Sequence, residues 1–99
     1  MPLRRLKHLN TKECLWVYIL RILKDKPMHG YAIRGEIGKR FGFRPGTVTA
    51  YKVLYLLRQS GLVKKRTEGR KTLYEITPKG EKNLADARDF YMDMVKKIS

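Results

Sequence analysis

The chain has 99 residues, 42% of them hydrophobic, which is enough for one domain with a modest core. Lysine and arginine number 23 against 9 acidic residues, and the resulting charge of +14 predicts a polyanionic partner: nucleic acid first, then an acidic membrane surface or an acidic protein. The single cysteine, Cys14, excludes an internal disulfide, and no apolar run reaches the roughly 20 residues of a membrane-spanning helix. We therefore expect a soluble cytoplasmic protein.

The N-terminal segment is basic and carries a leucine at every third position, which predicts either a short helix or an arm without fixed structure. Asn10 and Glu13 have the spacing of a capping box, so a helix is expected to begin there. That helix should end before Pro27, and its apolar face is wide enough to predict burial.

Two further helices are predicted in the middle of the chain. The first has Tyr31 and Phe41 on its inner side and ends at Gly42, a residue suited to the left-handed position after a helix. The second begins at Thr47 and ends near Gly61. A helix that begins at Thr47 leaves backbone N–H groups free to meet a phosphate.

The pattern then changes from the period of a helix to the alternation of strands. Residues 62–66 and 71–77 predict two strands joined by a turn at Gly69, and the tip of this hairpin is basic. Thr77 as the cap and Pro78 in the first turn predict a last helix that runs to the end of the chain.

The predicted fold class is mainly α with a small β-hairpin: a winged helix-turn-helix with a C-terminal dimerisation helix. Residues 1–76 are expected to form the winged-helix DNA-binding domain with a basic N-terminal arm. Residues 77–99 are expected to form a dimerisation helix that packs on the same domain. In this arrangement the third helix enters the major groove, and the hairpin, or wing, lies on the DNA backbone or in the minor groove.

Three segments resemble the PadR family of transcriptional regulators: residues 27–31 (PMHGY), 51–63 (YKVLYLLRQSGLV) and 69–80 (GRKTLYEITPKG). The resemblance extends from about Leu20 to Leu84. It implies a cytoplasmic repressor-type protein and a dimer built by the last helix and the first one. It also implies a phosphate or groove contact for Tyr51.

The expected DNA contacts lie in the loop before the third helix, on its outer face and on the wing: Arg44, Thr47, Thr49, Tyr51, Lys52, Tyr55, Lys65, Arg66, Arg70 and Lys71. Basic side chains suit phosphates and guanine edges, and threonines suit phosphates and thymine methyl groups. The alternative is a solvated helix face beside a charged hairpin that only discourages edge pairing.

An apolar seam with heptad spacing runs along the last helix, and it is too short for a free coiled coil. Together with the first long helix it predicts a dimer interface of Leu15, Trp16, Ile19, Leu84, Ala87, Tyr91, Met94 and Ile98. The alternative is a helix that packs only within its own chain. Aromatic and methionine side chains there could line a pocket for a small apolar effector, although a plain interface core is favoured.

No catalytic residue, metal site or cofactor is expected, because the acidic residues are scattered and Cys14, His8 and His29 lack the spacing of metal ligands. The predicted function is a sequence-specific regulator that binds double-stranded DNA as a homodimer and acts as a repressor. The alternative is a non-specific protein that coats nucleic acid or chromatin. The expected partners are DNA, a second copy and, with less support, the effector, but no membrane.

Overall fold

The computed structural model describes residues 2–11 and 13–99. Its elements in chain order are α1 (Pro2–Leu9), α2 (Leu15–Asp25), β1 (Met28–His29), α3 (Gly30–Phe41), α4 (Thr47–Gln59), β2 (Val63–Glu68), β3 (Lys71–Ile76) and α5 (Pro78–Ile98). This order confirms the predicted fold class, a winged helix followed by a C-terminal helix.

The start of α2 differs from the prediction. The leucine-rich N-terminal segment forms α1, and α2 begins only at Leu15, after Cys14, without a side-chain cap. The capping box was wrong because Asn10 serves the preceding helix: its side-chain amide donates to the carbonyl of Leu6 at 2.9 Å. The carbonyl of Asn10 accepts a hydrogen bond of 2.6 Å from the hydroxyl of Tyr18, which fastens the end of α1 to α2.

The sheet has three antiparallel strands in the order β1-β3-β2. The wing strands pair from Val63 opposite Ile76 to Glu68 opposite Lys71, as the hairpin prediction required. The two-residue strand β1 was not predicted, and its His29 lies opposite Leu73 of β3. Because β1 directly precedes α3, this pairing attaches the start of α3 to the wing.

Helix α2 lies at the centre of the molecule and packs against α3, α4, α5 and β3. The fully buried side chains include Ile19 and Ile22 of α2, Ile37 of α3 and Leu54 of α4, so the predicted burial of α2 is confirmed. The prediction for α3 was wrong at Tyr31, which is 64% exposed.

The N-terminus of α5 is anchored to the end of α4. The Thr77 hydroxyl accepts a hydrogen bond from the amide of Gly80 at 3.0 Å, which confirms the predicted cap. The same hydroxyl donates to the carbonyl of Gly61 at 2.6 Å, and the Lys79 ammonium donates to the carbonyl of Ser60 at 2.8 Å. These bonds fix α5 next to the base of the wing.

An ion-pair network joins the C-terminal halves of α2 and α3. Asp25 accepts hydrogen bonds from Arg21 at 2.8 Å and from Arg40 at 2.6 Å, and Arg40 also contacts Glu36 at 2.8 Å. The hydrogen bonds from Arg21 and Arg40 hold the pKa of Asp25 below its ordinary value. The network therefore links the central helix α2 to α3.

Candidate nucleic-acid interface

Helix α4 has one buried and one exposed face. Ala50, Leu54 and Leu57 point into the core. Four of the predicted contacts, Thr47, Thr49, Lys52 and Tyr55, are exposed on the outer side, and Tyr51 is exposed at the edge next to the wing. The helix therefore offers hydroxyl, ammonium and phenol groups along a face that no part of the described chain covers.

The loop before α4 is held in place from α3. The Arg34 guanidinium donates through Nε to the carbonyl of Pro45 at 2.8 Å, and Pro45 itself is buried. Gly46 precedes the helix, and no side chain in the described residues caps the first turn. The amide groups of that turn therefore stay available to an anion, and the exposed Arg44 lies just before them.

The wing carries exposed cations on both strands. Lys64 and Arg66 lie 3.2 and 3.7 Å from the Glu75 carboxylate, so part of their charge is compensated. Lys65, Arg70 and Lys71, three of the predicted contacts, are exposed as well. Within the described residues none of these three forms an ion pair, which leaves their charge free for an external anion.

A cleft of about 310 Å³ lies between the start of α3, the first half of α4 and the wing, and we call it the wing cleft. The side chains that line it are His29, Tyr31, Tyr51, Arg70, Lys71, Thr72 and Tyr74. The cleft brings three predicted residues, Tyr51, Arg70 and Lys71, together. The two residues from the PMHGY segment could not be placed here from the sequence, because only the pairing of β1 with β3 shows that this segment borders the wing.

The rings in the wing cleft are held by specific contacts. The His29 and Tyr31 rings are stacked with centroids 5.6 Å apart and an interplanar angle of 3°. His29 Nδ1 lies 3.2 Å from the carbonyl oxygen of Thr72; since a carbonyl can only accept, Nδ1 carries the proton in this bond. Burial, together with the nearby Tyr51, raises the pKa of Tyr74. Like any tyrosine hydroxyl, it can donate a hydrogen bond at neutral pH.

The predicted dimer residues fall into two groups. Leu15, Ile19 and Leu84 are 1%, 0% and 3% exposed, and they lie in the core of their own chain. Burial in their own chain leaves them almost no surface to offer a second copy, because α3, α4, α5 and β3 pack against α2 and Leu84 belongs to the same core cluster. Trp16, Ala87 and Tyr91 are half-buried, whereas Met94 and Ile98 are exposed, so the remaining candidates lie on the outer side of α2 and along α5.

An apolar surface remains between α1 and the C-terminal half of α5. We call it the α1–α5 surface; Leu6, Met94, Val95 and Ile98 line one pocket there together with Lys7, and Leu3 and Leu9 are exposed on α1. At its inner edge the Tyr91 hydroxyl donates to the Cys14 sulfur at 3.4 Å. This bond and partial burial raise the pKa of Tyr91 to about 12, so the hydroxyl keeps its proton and its contact at neutral pH.

An open groove of about 450 Å³ separates α2 from α5. Two residues of α2 line it, Trp16 and Val17, and five residues of α5 face them: Asn83, Asp86, Ala87, Phe90 and Tyr91. Its walls are mostly aromatic and aliphatic, in keeping with the predicted apolar character of this region.

Neither a membrane span nor a metal cluster is present in the part of the chain that the structure describes. No helix there has both the length and the hydrophobicity that crossing a bilayer requires. No group of three or more histidine, cysteine, aspartate or glutamate side chains converges there as metal ligands would.

Solved structures of transcriptional regulators share this fold. A PadR-like transcription factor from Bacteroides fragilis has a TM-score of 0.80, with 20% identity and coverage of 95% of both chains. The regulator TA0346 from Thermoplasma acidophilum has a TM-score of 0.74 at 27% identity, covering 88% of this chain and 87% of that one. Bacillus subtilis PadR, solved in complex with operator DNA, has a TM-score of 0.67 at 25% identity, covering 74% of this chain and 46% of that one.

No curated protein is detectably similar in sequence. The model of the "Transcriptional regulator PadR-like family" matches residues 19–86, which is more than half of the chain. The matched region runs from α2 through the wing into α5, and it confirms the resemblance that the three sequence segments predicted. The chain therefore belongs to the PadR-like family of transcriptional regulators.

Proposed function

We propose that the protein is a sequence-specific regulator that binds double-stranded DNA and represses transcription as a homodimer. Helix α4 would enter the major groove, and the wing would lie on the backbone or in the minor groove. One observation carries this proposal: the wing cleft joins the exposed face of α4 to two wing cations, Arg70 and Lys71, that form no ion pair within the described residues. Bacillus subtilis PadR, which shares this fold, was solved in complex with operator DNA, and this supports DNA as the partner here.

The side chains on this surface divide into positioning and reading groups. Arg44 before α4 and Arg70 and Lys71 on the wing suit phosphate oxygens, which fix the protein on the duplex without reading its sequence. Thr47, Thr49 and Lys52 in the first turns of α4 would meet base edges, because the N-terminal residues of a recognition helix reach deepest into the groove. Arg66, Lys65 and Tyr55 extend this surface at its margins.

Removing single cations tests the docking. We expect Lys52→Ala and Arg70→Ala each to weaken binding to a duplex. Arg70→Ala should also reduce the slope of log affinity against log salt by about 1, because it removes a phosphate contact. The measurement is the fluorescence anisotropy of a labelled duplex over a series of salt concentrations. Lys82→Ala on α5 is the matched control, because it removes the same charge from an ion pair with Asp86 away from this surface. Unchanged affinity in both test variants would contradict the docking.

Specific regulation and non-specific coating differ in how the protein selects DNA. Selection of bound fragments from random duplexes should return a palindromic motif whose half-sites lie about 34–36 Å apart, if a dimer presents two copies of α4. The selected DNA should then compete at least about 10³-fold better than bulk DNA. A coating protein would return no motif and show no such preference.

The dimer in this proposal uses the α1–α5 surface together with the outer side of α2. Six large apolar side chains are exposed there in a chain of only 99 residues, and a second copy would bury them. The surface lies on elements that do not take part in the α4 and wing contacts. A dimer built on it would leave both copies of α4 free to bind DNA.

A small apolar effector is a second candidate ligand, and the groove between α2 and α5 favours it. Trp16, the only tryptophan in the chain, lines this groove, so its fluorescence reports on occupancy. We expect anilinonaphthalene sulfonate to accept energy from Trp16 on binding and to lower the affinity for DNA. Phe90→Ala should weaken both effects, because Phe90 forms the opposite wall. Binding of the dye without any change in DNA affinity would contradict an effector role for the groove.

A further inference from the structure

The wing cleft has the chemistry of a phosphate site. It presents the guanidinium of Arg70, the ammonium of Lys71 and the hydroxyls of Tyr51 and Tyr74. Among the described residues, those that line the cleft include no carboxylate. A phosphodiester group offers one negative charge and several acceptor oxygens, which is what paired cations and hydroxyl donors satisfy.

The position of Tyr51 in the cleft depends on the absence of a side chain at Gly30. A Cβ atom on Gly30 would lie 2.8 Å from Cε1 of Tyr51, 3.0 Å from its hydroxyl oxygen and 3.2 Å from Cζ. These distances are shorter than van der Waals contact, so the ring would have to move. Because the ring is the end of a flexible side chain, the helices could stay in place while the hydroxyl is displaced.

Contacts of the two residues next to Gly30 fix its backbone beside the ring of Tyr51. His29 belongs to β1, pairs with Leu73 of β3, and is hydrogen-bonded to the carbonyl of Thr72. Tyr31, the residue after Gly30, stacks its ring on the ring of His29, the residue before it. The start of α3 is therefore tied to the wing strand, and it forms a fixed surface for the Tyr51 ring.

We propose that Gly30 is a positioning residue: its lack of a side chain lets the Tyr51 hydroxyl make, inside the wing cleft, the backbone-phosphate contact that the family resemblance implies for it. The cations of the wing attract the phosphate by their charge. The Tyr51 hydroxyl donates a directed hydrogen bond that fixes the phosphate between the wing and α4. This inference rests on the proposed DNA binding, and it adds a residue that itself touches no DNA.

A double-mutant cycle between Gly30 and Tyr51 tests this role. Gly30→Ala and Tyr51→Phe should each weaken binding to a labelled duplex about tenfold, which is the effect of removing one hydrogen bond to a charged group. Both should leave the slope against salt unchanged, because no cation is removed. In a Tyr51→Ala background, Gly30→Ala should have no further effect, since the ring that it displaces is gone.

The controls separate positioning from general damage to the fold. Gly35→Ala lies on the same helix with open space around its Cβ, and it should bind DNA like the wild type. Thermal unfolding should show that Gly30→Ala remains folded at the temperature of the assay. If Gly30→Ala weakens binding equally with and without the Tyr51 ring, or binds like the wild type, Gly30 is not the positioning residue. A wild-type protein that binds no duplex would overturn the proposed function itself.

Discussion

Replacing Met94 and Ile98 together with aspartate is expected to convert the protein to monomers and to weaken its DNA binding about a hundredfold or more. Both side chains belong to the α1–α5 surface, where they are 43% and 77% exposed in the single chain. Because they do not support the core, the exchange should leave the fold of the monomer intact. The effect should therefore fall on association.

The size of the effect follows from two costs. A dimer that covers this surface would have to bury two carboxylates of each chain beside Leu6. Lys7 lines the same pocket but can compensate at most one of them, and a buried charge without a partner is not stable in such surroundings. A monomer also loses the second binding event. In a dimer bound at one half-site, the second copy is held near the other half-site at a high effective concentration. Affinity for a palindromic duplex should fall strongly, whereas affinity for a single half-site should change little.

Sedimentation equilibrium, together with anisotropy on full and half sites, checks this expectation. The matched control is Ala85→Asp with Met92→Asp, which adds the same two charges at exposed positions of α5 outside the α1–α5 surface. The control should remain a dimer and bind the full site as the wild type does. If the Met94→Asp and Ile98→Asp double variant stays dimeric, or if the control dissociates equally, the interface lies elsewhere.

The fold could be predicted because its signals are local. The change from helical period to alternation at residue 62 marks the wing, and Thr77 with Pro78 marks the start of α5. Two errors came from competition that local patterns do not show. Asn10 could cap either neighbouring helix and bonded to α1. Strand β1 has only two residues, and it exists because residues far along the chain bring β3 beside it.

The candidate site was predictable to the extent that it follows from the periodicity of one helix. Once Leu54 and Leu57 are assigned to the core, the outward positions of α4 are determined by its geometry. The same periodicity places Leu15, Ile19 and Leu84 on the apolar faces of their helices. It cannot tell whether those faces pack against the same chain or against a second copy. The role of Gly30 depends on the contact of α3 with Tyr51, which no spacing in the sequence reveals.

The second large effect is expected from Gly80→Ala, which should lower the free energy of unfolding by about 3 kcal/mol. A Cβ on Gly80 would overlap the carbonyl oxygen of Leu62 and lie 2.8 Å from Cγ1 of Ile76. Leu62 cannot move aside easily, because its carbonyl accepts a 3.1 Å hydrogen bond from the amide of Thr77 and its own amide donates to Leu57 at 2.9 Å. The added Cβ at Gly80 therefore collides with backbone that hydrogen bonds keep in place, whereas the added Cβ at Gly30 collides with a side-chain ring that can move.

Urea unfolding followed by circular dichroism measures this destabilisation, and Gly35→Ala supplies the comparison. At Gly35 an added Cβ meets open space in the middle of α3, so alanine should raise the free energy of unfolding by about 0.5–1 kcal/mol through its higher helix propensity. The two glycine-to-alanine exchanges should therefore move the urea midpoint in opposite directions. Equal midpoints would mean that α5 can shift away from Leu62 without cost, and that the anchor at Thr77 is weaker than its hydrogen bonds suggest.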